Sequence, residues 1–333
     1  MTVPSSRTAL VLGANGGVGG ETAAALVRHG WTVRALVRDL AKAGRGDIQY
    51  VQGDAMDRRA VVAAAEGAAI IVHAVNPPGY RGWRKLVLPM IDNSLAAARA
   101  GGARILLPGT IYNYDPARSP VIDEAAPQGG KTRKGRIRIE MEARLEAAAA
   151  SGVRSIILRA GDYFGPRATG NSWFSEGLVA PGKPVRTILY PGDKGVGHAW
   201  AYLPDVGETF ARLADREAEL PAFARFHFEG VWDADGTQMI RAIARAAGQK
   251  RPNARQLPWG LLPIAGLFSE TLRELAEMRS FWRNPVRLDN RRLVAFLGEE
   301  PRTPLDAAVR ATMRGLDVPV VEAASPSRLA RAA

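Results

Sequence analysis

Residues Thr8 to Asp39, TALVLGANGGVGGETAAALVRHGWTVRALVRD, constrain the fold of this 333-residue chain more than any other stretch. Ala9-Leu10-Val11-Leu12 is a short apolar run of the kind a parallel strand buried on both faces requires. Gly13, Gly16 and Gly19 follow at three-residue intervals, and Glu21 to His29 read as a helix that Gly30 ends. Trp31 to Val37 is a second β-rich segment. Glycines in a strand-to-helix turn permit a tight bend, let the backbone approach a pyrophosphate and let the helix pack on the strand. The helix N-terminus adds N–H donors and a partial positive charge. Strand, glycine turn, helix and strand together predict half of a dinucleotide-binding fold, with Gly13, Asn15, Gly16 and Gly19 as cofactor-binding residues.

The glycines of GANGGVG stand at its first, fourth and seventh positions, not in the G-x-G-x-x-G spacing of ordinary dehydrogenases. This variant resembles the extended and atypical short-chain dehydrogenase/reductases, the superfamily of NAD-dependent epimerase/dehydratases and of NmrA-like proteins. Later landmarks follow in the order the resemblance requires, to about Val318.

Ile48-Gln49-Tyr50-Val51 forms a third strand ending at Gly53-Asp54, where the resemblance makes Asp54 an adenine contact. Asp54 or Asp57 is equally placed to cap the helix through Glu66. Ala69 to Val75 is a fourth strand, ended sharply by Asn76-Pro77-Pro78-Gly79. Ligands of such sheets sit beyond the carboxyl ends of the strands, so Ala74, Val75 and Asn76 should line the cofactor cleft. A helix from Leu86 to Ala100, a fifth strand from Arg104 to Leu107, a helix from Ile139 to Ala150 and a sixth strand from Val153 to Arg159 continue the alternation. The predicted fold class is therefore α/β, a doubly wound parallel Rossmann sheet. By resemblance, Ala160 to Pro166 is a loop facing nicotinamide and substrate, and Asp205 caps a helix beside the cleft. Phe226 to Gly230 reads as a returning strand. The expected organisation is a Rossmann core over 1–165, completed within 185–232, and a smaller, mostly helical substrate cap from 166–184 and 233–320. A polar tail over 325–333 should be frayed.

In NAD-preferring relatives the second strand ends in an acidic residue that bonds the ribose hydroxyls and repels a phosphate. Here Val37 holds that place and Arg38 follows. A guanidinium matches a phosphate in bidentate geometry and stacks on adenine. Arg34 reinforces the positive field, while Asp39 offers a ribose contact of the kind NAD uses. The expected cofactor is NADP(H), with NAD less favoured.

The resemblance implies a catalytic Tyr, a Lys four residues later that lowers its pKa, and a Ser or Thr that polarises the same substrate oxygen. The literal spacing occurs at Tyr190 and Lys194, but the intervening Pro-Gly-Asp makes a turn, so that pair is rejected. Alignment of KGRIRIEMEARLEAA puts Lys134 at the Tyr position and Arg138 at the Lys position, and the Ser position falls on Pro108. Arg138 is expected to hold a ribose or phosphate oxygen; it cannot shuttle protons, because a guanidinium stays charged. Thr110, Tyr112 and Tyr163 are the candidate catalytic hydroxyls, and Lys134 is placed to lower a neighbouring phenol's pKa. The cluster Lys131, Arg133, Lys134, Arg136 and Arg138 reads as a phosphate-binding or solvated face. The aromatic residues Tyr163, Phe164, Trp173 and Phe174 suggest a small-molecule pocket.

Absence of Cys excludes disulfides, thiolate metal sites and thiol nucleophiles. His29, His73, His198 and His227 show no metal-ligand spacing, and no metal is expected. The formal charge of +12 is spread along the chain without a nucleic-acid motif, which suits an anionic cofactor or substrate better than DNA or RNA. MTVPSSR leads straight into the first strand, leaving no room for a signal peptide. The longest apolar run, Leu257 to Phe268, holds two prolines and is too short to span a bilayer. A cytoplasmic protein with a small-molecule substrate is expected, without nucleic-acid or membrane partners; a homodimer is allowed. Two functions stay open: an NADP(H)-dependent oxidoreductase or epimerase-like enzyme acting on a small carbonyl or hydroxyl compound, and an NADP-binding redox sensor resembling NmrA-like regulators.

Overall fold

The structure, a computed structural model, describes residues 7–42, 44, 46–77, 82–168, 172–262 and 276–321. The first half of the chain runs β1 (Thr8–Leu12), α1 (Gly17–Arg28), β2 (Thr32–Val37), β3 (Ile48–Gln52), α2 (Arg58–Ala64), β4 (Ile70–His73), α3 (Trp83–Gly101), β5 (Arg104–Thr110) and β6 (Val121–Ile122). Then come α4 (Arg133–Ala149), β7 (Arg154–Ala160), β8 (Asp162–Phe164), β9 (Ile188–Tyr190), β10 (His198–Tyr202), α5 (Leu203–Asp215), β11 (Phe223–His227), β12 (Val231–Asp233) and α6 (Gln238–Ala246). Helices Arg279–Arg283, Arg291–Leu297 and Leu305–Gly315 follow. Pro78, Gly79, much of the Leu257–Phe268 run and the tail from 325 lie outside the described residues.

Seven parallel strands form the main sheet in the order β11-β7-β5-β4-β1-β2-β3. Strand side chains alternate between faces, and both faces of β1 are buried. Ala9 and Val11 pack toward Leu26, Phe210 and Leu213, whereas Leu10 and Leu12 pack toward Ile91, Leu95 and Ile105. Each such Leu or Ile contributes about 1.5–3 kcal/mol through burial. On the first face α1 and α5 approach closely: a β-carbon on Gly207 would lie 2.7 Å from the backbone of Glu21. The chain leaves β1 toward β2 on one side and returns to β4 on the other, so a crevice opens where those strands diverge. The returning strand is Phe223–His227, three residues earlier than Phe226–Gly230, and it forms the edge beside β7.

A third core, built on Phe164, Phe174, Trp200, Met239, Trp282 and Val309, lies in the C-terminal part. Phe164 and Phe174 stack at 5.7 Å and Trp173 packs edge-on against Trp282, so these aromatics build a core and only Tyr163 of the predicted set reaches the cleft. Tyr190 ends β9 and Lys194 sits in a turn, so no helix face presents that pair. No helix among the described residues is long and apolar enough to cross a membrane.

Candidate active site

The cleft at the crevice encloses about 600 Å³ and runs from the β1 glycine turn to the end of β5 and the start of β8. The turn places each glycine for a different reason. Gly13 has φ +90°, and a β-carbon there would lie 2.6 Å from the carbonyl oxygen of Ala74 on the neighbouring strand. Gly16 caps α1 with no side-chain cap, and its first turn carries no acidic residue. The helix begins at Gly17, one turn before the Glu21 start expected from sequence. Amides of that turn are therefore open to an anion, and a β-carbon on Gly16 would meet only the Gly13 oxygen, at 3.3 Å. This cradle fits a dinucleotide pyrophosphate. Asn15, Gly17 and Val18 line it with Gly13 and Gly16; Gly19 does not, and serves the helix–strand contact.

Arg38 and Asp54 line the same end of the cleft. Asp54 Oδ1 accepts from the Met56 amide at 2.9 Å in a local turn, while Asp57 caps α2 through the amides of Arg59 and Ala60. Asp39 Oδ1 accepts from the Ala41 amide. Arg34 differs from expectation: it donates to the carbonyls of Ala64 and Glu66 at the end of α2, where its charge meets the negative pole of that helix. Ala74, Val75 and Asn76 line the cleft, and Asn76 Oδ1 accepts from Trp83 Nε1 at 2.8 Å.

Arg138, on α4, reaches the cleft, donates to the Pro108 carbonyl at 3.2 Å and stacks over Trp83. The remaining basic cluster disperses. Lys131 pairs with Asp115 and Arg133 with Glu277, Arg136 donates to the Lys131 carbonyl, and Lys134 is buried without lining the cleft. Asp205 does not cap α5; its carboxylate accepts from the amide and hydroxyl of Thr303, both at 2.7 Å, and so ties α5 to the C-terminal segment.

At the far end, β5 continues through Pro108 and Gly109 to Thr110. Beyond Leu106 it pairs only with β7, and a strand with one partner tolerates proline. Thr110 and Tyr112 are thereby delivered to the cleft. Tyr112 Oη donates to Asp162 Oδ1 at 3.0 Å, and Asp162 Oδ2 lies 2.9 Å from His198 Nε2. Tyr163 Oη donates to the Gly109 carbonyl at 2.9 Å; burial pushes its phenol well above the usual range, with Arg138 acting against that. His73, also on the cleft wall, bonds Ser94 Oγ at 2.8 Å through Nδ1; burial, then the charge of Arg138, push it down to about 3, so the ring is neutral.

Sequence reading missed Asp162, His198 and the wall formed by Trp83, Leu86 and Met90. Asp162 stands beside the expected Tyr163 and carried a signal: an acid in the loop after the sixth strand. His198 carried none, because its partner is 36 positions away.

Known proteins resemble this chain in sequence and in fold. The family described as NAD(P)H-binding matches residues 13–177. A Streptomyces protein named 3-diazoavenalumate denitrifying reductase is 30% identical over 274 residues, covering 76% of this chain and 85% of that one. MoeE5, solved with UDP-glucose and NAD, superposes with TM-score 0.71 at 18% identity, over 92% of this chain and 98% of its own. UDP-glucose 4-epimerase from Brucella ovis, solved with NAD, gives 0.73 at 15% identity, over 94% and 99%. The chain belongs to the NAD(P)H-binding Rossmann proteins and shares the fold of the NAD-bound epimerases.

Proposed function

We propose that this protein is an NADP(H)-dependent oxidoreductase acting on a small carbonyl or hydroxyl compound, or on one with a comparable electrophilic group. One observation carries the reading: a single cleft runs from the glycine turn and Arg38 to the hydroxyls of Thr110, Tyr112 and Tyr163. The amides of Gly13 to Val18 would hold the pyrophosphate, Arg38 a 2′-phosphate, Asp54 the adenine, and Asn76 and Arg138 the ribose and nicotinamide end. Bound there, the nicotinamide supplies two-electron redox chemistry. Tyr112 would exchange a proton with the substrate oxygen while Thr110 polarises it. Trp83, Leu86 and Met90 give the cleft an apolar wall suited to flat ring systems. The Streptomyces relative, a reductase whose name gives a diazo compound as its substrate, favours reduction over epimerisation.

Pro108, Lys134 and Arg138 standing where the family has Ser, Tyr and Lys favour a second reading, an NADP-binding redox sensor without turnover. NADPH oxidation followed against a panel of carbonyl and diazo compounds separates the two. Turnover supports the enzyme. Absence of turnover, together with NADPH-dependent affinity for a protein partner, establishes the sensor instead.

A further inference from the structure

We infer that Asp162 and His198 form a proton relay with Tyr112 that takes over the work of the tyrosine–lysine pair this chain lacks. The inference rests on the oxidoreductase reading and names the positioning residues of that same site. Tyr112 and Asp162 line the cleft, whereas His198 lies behind them, 3% exposed. A carboxylate only accepts, so Tyr112 Oη–H and His198 Nε2–H both point at Asp162, at 3.0 and 2.9 Å. The imidazole is flanked by aromatic rings. Trp282 stacks on it with centroids 3.7 Å apart and planes 5° apart, and Trp200 meets it edge-on at 4.8 Å. An indole face and a carboxylate both stabilise positive charge on the ring whenever it carries one. Strand pairing and ring packing place two further titratable groups of the described residues around it: Asp233, opposite His198 on β12, and Tyr190 on β9, which packs against Trp282. Asp233 is committed elsewhere, since its oxygens accept from the Gln238 and Met239 amides at the start of α6.

In the reductive direction a bound reduced nicotinamide would supply hydrogen and two electrons to the substrate carbon, and the substrate oxygen would take the phenolic proton of Tyr112. His198, protonated on both nitrogens beforehand, gives its Nε2 proton to Asp162. The carboxyl, turning about its Cβ–Cγ bond, carries that proton to Tyr112 Oη. Tyr112 and Asp162 return to their starting states, and the neutral His198 regains its proton from solvent.

Two measurements test this. In ligand-free protein with ¹⁵N-labelled histidine, Tyr112→Phe and Asp162→Asn should each move the ring ¹⁵N signals of His198, assigned with His198→Asn, and leave His29 unmoved. In mixtures of H₂O and D₂O, turnover of the unaltered protein should fall along a curve, as it does when several protons move. His198→Asn, which keeps an N–H for Asp162, should lower kcat by about 10²-fold, the low end of a general acid's contribution, straighten that curve and leave the KM for NADPH unchanged. Turnover untouched by His198→Asn overturns the relay, as does a His198 signal indifferent to both substitutions. An unaltered protein that turns over no substrate while the His198 coupling is present overturns the oxidoreductase reading itself.

Discussion

The carbonyl oxygen of Gly13 stands 2.2 Å from where a β-carbon on Gly19 would lie. That contact holds α1 against the end of β1 and aims the first amides of the helix into the cleft. Gly16, three residues nearer the strand, is less crowded: a β-carbon there would meet only the Gly13 oxygen, at 3.3 Å. One motif thus divides between packing and ligand, and mutagenesis can separate the two.

Gly19→Ala should destabilise the fold by about 1–3 kcal/mol, because backbone must shift to admit the methyl group. Gly16→Val should leave the urea midpoint near that of the unaltered protein and abolish NADPH binding by titration calorimetry. A Gly16→Val protein that binds NADPH at full strength would make the turn merely structural.

Cofactor choice should reside in Arg38. The unaltered protein is expected to bind NADPH more tightly than NADH, and Arg38→Asp should remove most of that difference. A charge-assisted contact of this kind is worth roughly 1.5–3 kcal/mol, or about tenfold to a hundredfold. Equal affinities for the two nucleotides in the unaltered protein refute the assignment.

The two cleft tyrosines should behave differently. Tyr112→Phe should cut turnover by about 10²–10⁴-fold with cofactor affinity nearly unchanged. Tyr163 Oη donates a hydrogen bond to the Gly109 carbonyl, and burial holds its phenol protonated. Its change to Phe should cost about 1 kcal/mol of stability and little rate. If Tyr163→Phe proves the more damaging to turnover, the roles are reversed.

His29 should make stability depend on pH. It lies between Asp215, 2.6 Å from Nδ1, and Glu208, 3.1 Å from Nε2, where α1 meets α5. Partial burial opposes its charge, but the bonds to Asp215 and Glu208 prevail and raise its pKa above 6.5. The folded state therefore binds the proton more tightly than the unfolded chain. This contribution is fully present below the unfolded pKa of about 6.5 and is lost as pH rises through the folded value. The Tm difference between the unaltered protein and His29→Gln should shrink from pH 5.5 to pH 9. A difference that stays constant or grows contradicts the ion-pair account.

Much of the architecture was legible in the sequence for a physical reason. Strands buried on both faces must be continuous apolar runs, so Ala9–Leu12 and Ile70–His73 announce themselves, and alternation with helices makes the sheet parallel. The start of α1 was not legible. Gly17, Gly19 and Gly20 are poor helix formers, each about 1 kcal/mol worse than alanine, and they are helical because close packing requires them. Helix α4 likewise begins at Arg133, six positions before the Ile139 expected, because Thr132 caps it by accepting from the Gly135 amide while its first turn is polar and aperiodic.

Sequence alone thus determined the parallel sheet and the glycine turn with Arg38 beside it, whose residues follow one another along a single βαβ segment. Tertiary structure decided the reacting end. Asp162 meets His198 because β8 lies beside β10 with Asp162 opposite Trp200, and His198, two residues before Trp200, projects from the same face. A slip of one residue in that pairing would turn His198 away from Asp162, and nothing local to either segment records the register that prevents it.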